Sequence, residues 1–164
     1  MSSVRFVFPK PRLAELLAMP GGLPVAEAVE RAQANLESIK PTCTAELLAL
    51  LELCEAGYAT LGDGFDDAAL EGIYAIAVKG IGAGEVCGAP SVDVALTSFC
   101  DLLDHLRTLR RFDRAAVGVH VQAWRLLMSP GAPQAGAEQM LEGLLKVRAR
   151  YAAEAAAVAA SDAA

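Results

Sequence analysis

The stretch TCTAELLALLELCEAGYATL, residues 42–61, decides the fold class. Its Leu47, Leu50, Leu51, Cys54, Tyr58 and Leu61 recur at spacings of three and four, the stripe of an amphipathic helix. Leu48 and Leu53 widen that stripe, so this helix is expected near the centre of its fold. The residues on either side repeat the same period. Upstream, Pro24 suits the first turn of a helix that ends near Ile39, before Pro41, with the stripe Val25, Ala28, Val29, Ala32, Leu36 and Ile39.

Downstream, GDGFDD is a turn in which Asp66 or Asp67 can cap a helix with the stripe Leu70, Ile73, Tyr74, Ala77 and Ile81. Gly84 to Pro90 break it. Ser91 is read as the cap of the next helix, with the stripe Val92, Leu96, Phe99, Leu103 and Leu106. Asp113 caps another, carrying Val117, Val121, Trp124 and Met128. A last helix uses Met140, Leu144, Val147 and Tyr151. At the other end, residues 1–10 read as an extended arm with Phe6 and Phe8, and residues 11–19 as a short helix stopped by Pro20, Gly21 and Gly22. The Ala-rich tail, 152–164, is expected to fray. Alternating strand patterns are nearly absent. The fold class is therefore all-α: an antiparallel helical bundle with a four-helix core, in a single domain over 1–164.

Composition narrows the function. The 164 residues are 54% apolar but only 5% aromatic, so the core must be built from Leu, Ala, Val and Ile. The net charge of −6 sets nucleic acid aside as a partner. The one basic cluster, Arg107, Arg110, Arg111 and Arg114, could meet an acidic partner, but reads more simply as a solvated helix end. The first residues lack the apolar core of a signal peptide, and no apolar run is long enough to span a membrane. A cytoplasmic protein is expected. Cys43, Cys54, Cys87 and Cys100 form no CxxC pair and read as small buried hydrophobes. No ligand spacing implies a metal, and nothing implies a cofactor.

Catalytic constellations are equally sparse. His105 and His120 are the only histidines, and the sequence brings neither to a nucleophile or an orienting group. The segment GIGAGE superficially resembles a phosphate loop. However, its glycines follow a helix, at the negative end of the helix dipole, rather than opening one. The face opposite Leu70, Ile73, Tyr74, Ala77 and Ile81 holds Gly72, Ile76, Lys79, Gly80 and Ala83. These are mostly small residues around one isoleucine and one lysine. Glycine within a helix costs about 1 kcal/mol relative to alanine. Two on one face suit either a docking surface or an unremarkable helix side.

IYAIAVKGIGAGEVCGAPSVDVALTSFCDLLD, residues 73–104, resembles the core of histidine phosphotransfer domains, four-helix bundles that pass phosphoryl groups between receiver domains. Lys79 and Gly80 match the family's lysine and glycine, and the leucine-rich helix that follows is 92–106. Gly88 matches the turn glycine only with a small insertion. The family's histidine falls on Ile76, which cannot accept a phosphoryl group. A longer likeness joins RLAELLAMPGGLPVAEAVERAQANLESI to FCDLLD and RRFDRAAVGVHVQAWRLL. It is similar to the alphaproteobacterial CheE family of chemotaxis accessory proteins. Together these resemblances imply a non-enzymatic protein of two-component signalling. It would bind a response-regulator receiver domain through Gly72, Ile76, Lys79, Gly80 and Ala83. The alternatives are a genuine phosphotransfer protein using His105 or His120, which both lack the lysine three residues later, and an oligomerising helical bundle such as a homodimer.

Overall fold

The computed structural model describes residues 21–129 and 134–162. The extended arm and the helix expected at 11–19 lie outside them. Six helices follow one another: α1 Val25–Thr60, α2 Asp67–Gly80, α3 Ala83–Cys87, α4 Pro90–Thr108, α5 Arg114–Met128 and α6 Gln134–Asp162. No strand occurs among the described residues. The protein is an all-α helical bundle.

The backbone divides between Glu37 and Ser38 into two compact units. The described part of the first is the start of α1 and the residues leading into it. Its large apolar side chains, Leu23, Val25, Val29 and Leu36, are all exposed. Arg31 pairs with Glu27 one turn away at 2.6 Å, a surface contact.

The second unit holds the bundle, with α4 at its middle. α4 packs against α6, α2, α5 and α3. It buries Val92, Ala95, Leu96, Phe99, Leu102, Leu103 and Leu106 along one broad face, with Thr97 and Asp104 exposed on the other. Thus α4, and not the helix over 42–61, is the central one. α1 fully buries only Leu47, Leu51 and Cys54 from that stretch, while Leu48 and Leu53 face outward. Its extra leucines widen the stripe beyond what the core covers.

Several expected boundaries change. Pro41 lies inside α1 instead of ending it. A proline removes one donor, but its fixed φ is compatible with the helix. The Thr44 hydroxyl donates to the Lys40 carbonyl at 2.9 Å in the same turn. Ser91 does not cap α4. The N-cap is Ala89, without a side-chain bond, and Pro90 takes the first turn. Asp66 and Asp113 do cap, accepting from Ala69 N at 3.1 Å and Ala116 N at 2.9 Å. Ile81 is 40% exposed rather than inward, because α2 stops at Gly80 and Ile81 is its C-cap. The tail is helical through Asp162. Alanine has the highest helix propensity, Ala155 is buried, and Glu154 pairs with Arg111 at 2.8 Å, so this segment is held down.

α4 ends in a Schellman arrangement. Arg110 N donates to Arg107 O at 3.0 Å and Arg111 N to Leu106 O at 3.0 Å. That geometry puts Arg110 at φ 47°, a left-handed position usually taken by glycine.

Candidate interaction face

The glycine-dense segment after α2 is built from the inside. Gly80 is buried at the crossing of three helices. A Cβ there would lie 2.9 Å from a Leu96 methyl and 3.0 Å from a Leu47 methyl. Gly82 and Gly88 adopt φ of 90° and 77°, which favour glycine. Gly84 sits under Ala89 O and the Asp93 carboxylate, where a Cβ would approach the carbonyl to 2.7 Å.

This segment opens α3, a helix the sequence reading merges into a break. Its amides converge on Asp93, reached from α4. Oδ1 accepts from Gly82 N at 2.9 Å and Gly84 N at 3.0 Å, and Oδ2 accepts from Glu85 N at 2.8 Å. The glycines thus begin a helix as well as follow one, where the sequence places them only at a helix end. The amides do form an anion cradle, and the chain's own carboxylate fills it.

The five residues expected on one face separate accordingly. Gly72 is exposed with open space above it, and Lys79 is exposed. Ile76 is half-buried and packs on the core. Gly80 turns inward, since it follows Ala77 by three residues on the core side of α2. Ala83 belongs to α3 and is half-buried. Beside Lys79, α1 supplies Glu46, Ala49, Leu50 and Leu53, which with it line a shallow groove of about 350 Å³. Leu53 is 57% exposed there. The sequence signal for this groove was the surplus leucine off the core stripe. Lys79 makes no ion pair among the described residues, and it stands in the last turn of α2, where a cation suits the helix dipole.

The basic cluster is occupied differently. Arg107 pairs with Asp67 at 2.9 Å and with Glu71, tying α4 to α2. Arg111 lies over the Tyr151 ring and pairs with Glu154 of α6. Arg110 lies over Phe65. Arg114 lies over Tyr58 and donates to Leu61 O at 2.6 Å. These arginines clamp the bundle's own elements together, with aromatic faces and carboxylates as partners.

The two histidines differ sharply. His120 is 1% exposed. Its Nδ1 is 2.9 Å from Ala116 O, its Nε2 is 3.2 Å from Ser98 Oγ, and its ring stacks on Phe99. With Nδ1–H donating to the carbonyl, Nε2 accepts from the serine hydroxyl, a fully satisfied neutral imidazole. Burial holds its pKa below the usual histidine value, only partly opposed by the Ala116 carbonyl. His105 is half-exposed on α4. The buried thiols are weak acids: desolvation first, then Glu55 and Cys100, push Cys54 up to about 12, and desolvation with Asp101 pushes Cys100 up to about 11. Cys43 and Cys87 are half-exposed. Among the described residues, no group of three or more His, Cys, Asp or Glu could hold a metal, and no helix is long and apolar enough to cross a membrane.

Fold and face together define a helical bundle with a shallow groove lined by Ala49, Leu50 and Leu53 and by two charged residues, Glu46 and Lys79. A scan against protein-family models, a search of curated proteins and a search of solved structures each found no match.

Proposed function

We propose that the protein is a non-enzymatic interaction module of bacterial two-component signalling, docking a response-regulator receiver domain on α1 and α2. The observation that carries this reading is Lys79. It is an exposed cation without an ion pair among the described residues, set beside the exposed Leu53 and half-buried Ile76 on a chain of net charge −6. A partner suited to that face presents an acidic centre with an apolar rim, the character of a receiver's phosphorylation site. The resemblance to phosphotransfer domains supports the same face, and isoleucine at position 76 makes it a binding rather than a transferring one. The face comprises Gly72, Ile76 and Lys79 of α2 with Leu50 and Leu53 of α1. Gly80 shapes it from beneath, and Ala83 lies beyond it in α3.

Titration of the protein against phosphorylated and unphosphorylated receiver domains tests this. Lys79→Glu is expected to weaken binding by about tenfold or more, equivalent to about 1.4 kcal/mol. Ile76→Asp is expected to weaken it further. Absence of binding to any receiver, or binding indifferent to Lys79→Glu, defeats the reading. The phosphotransfer alternative would use half-exposed His105. Acid-labile phosphate appearing on the protein after incubation with phosphorylated receiver, and lost in His105→Gln, would establish it instead.

A further inference from the structure

We infer that the first turns of α1 form a self-complementary seam through which two copies of this chain associate. Val25, Val29, Ala32 and Leu36 follow one another at spacings of four, three and four residues. This is the repeat of a two-helix seam rather than the wider stripe of a helix facing a globular core. On a helix turning about 100° per residue, the four side chains fall within an arc of about 60°. All four are exposed, Val25 at 80%, Val29 at 49% and Leu36 at 51% among them. No described part of the chain covers them.

Charge placement selects the occupant. The residues flanking the seam are Ala26 and Gln33 on one side and Ala28 and Asn35 on the other, none of them charged. The charged residues of these turns, Glu27, Glu30, Arg31 and Glu37, all lie at about 110° or more from the seam's centre. A partner of opposite charge would be met by charged flanks, as in heterospecific helix pairs. An identical helix requires flanks that do not repel their own copy, and on a chain of net charge −6 neutral flanks satisfy that. Ala32 near the middle allows two helices to approach closely. A seam this short is well below a standard interface, so the dimer is reversible, with a dissociation constant between about 10 µM and 1 mM.

Sedimentation equilibrium of the full chain from about 5 µM to 1 mM is the test. The expected result is a rise from the 17.1 kDa monomer towards twice that mass. The association should be unchanged or strengthened between about 0.05 and 0.5 M salt, because its contacts are apolar. The exposed-site variant Val29→Asp/Leu36→Asp is expected to stay monomeric throughout while keeping the parent's far-ultraviolet circular dichroism and melting temperature. Glu30→Ala/Arg31→Ala, on the far side, is expected to dimerise like the parent. The proposal is overturned by a monomer at every concentration, as would follow if another segment or a different partner occupied the seam. It is equally overturned by a dimer that survives Val29→Asp/Leu36→Asp or dissolves in salt.

Discussion

At the scale of single residues, the glycines show how position decides the cost of a methyl group. A Cβ on Gly118 of α5 would lie 2.5 Å from the Tyr58 hydroxyl, which reaches past it to donate to Arg114 O at 3.2 Å. The ring is also held by the Arg114 guanidinium above it, so it has little room to withdraw. Gly118→Ala is therefore expected to destabilise the fold by about 1–3 kcal/mol, read from urea unfolding followed by the fluorescence of the single tryptophan, buried Trp124. Gly80→Ala presses on the methyl ends of Leu96 and Leu47, flexible tips of their side chains, and meets the Trp124 ring at an ordinary 3.6 Å, so it is expected to cost less than Gly118→Ala. His120 supplies a pH dependence. Its folded pKa is depressed, so the unfolded chain binds the extra proton first as pH falls. Stability is fully present above the unfolded value near 6.5 and declines as pH drops below it. His120→Gln should flatten the midpoint of unfolding between about pH 7 and 5 relative to the parent; an unchanged slope would remove His120 as the cause.

At the scale of elements, the short α3 depends on a side chain from outside itself. Its five residues are too few to be stable alone, and the Asp93 carboxylate collects three of its leading amides. Asp93→Ala leaves those donors without their acceptor. It is expected to cost about 1–3 kcal/mol and to raise amide hydrogen exchange over 82–88 more than over α4. Uniform protection in the variant would show that α3 stands without this carboxylate. The helix periods were legible in the sequence, because a stripe repeats locally. Asp66 and Asp113 were legible as caps for the same reason. The cap of α3 was not, since Asp93 follows the amides it holds and stands on the next helix. Pro41 misled because a proline's missing donor signals a helix end, whereas an exposed helix tolerates one absent bond. The candidate face was half legible: Ile76 and Lys79 came from the sequence, while the burial of Gly80 and the contribution of Leu53 required the neighbouring helices.

At the scale of the whole molecule, side chains that look like surface chemistry are turned to internal use. Four arginines that read as a solvated helix end, or as a patch for an acidic partner, engage Asp67, Glu71, Phe65, Tyr58, Tyr151 and Glu154. Four cysteines divide by burial instead of pairing. A thiol reagent at pH 8 should therefore modify Cys43 and Cys87 quickly in the folded protein, and Cys54 and Cys100 only on unfolding, because burial disfavours their thiolates. Rapid reaction of all four would mean that the bundle opens on the labelling timescale. The sequence by itself determined the helical class and the stripes, since both follow from residue spacing along one chain. It also determined the absence of histidine at position 76. Only the tertiary structure decided that α4 is the centre, that Asp93 fills the glycine cradle, and that Lys79 is left without an ion pair among the described residues. Those outcomes depend on which groups from distant parts of the chain meet at the same point, and spacing along a single helix carries no record of that.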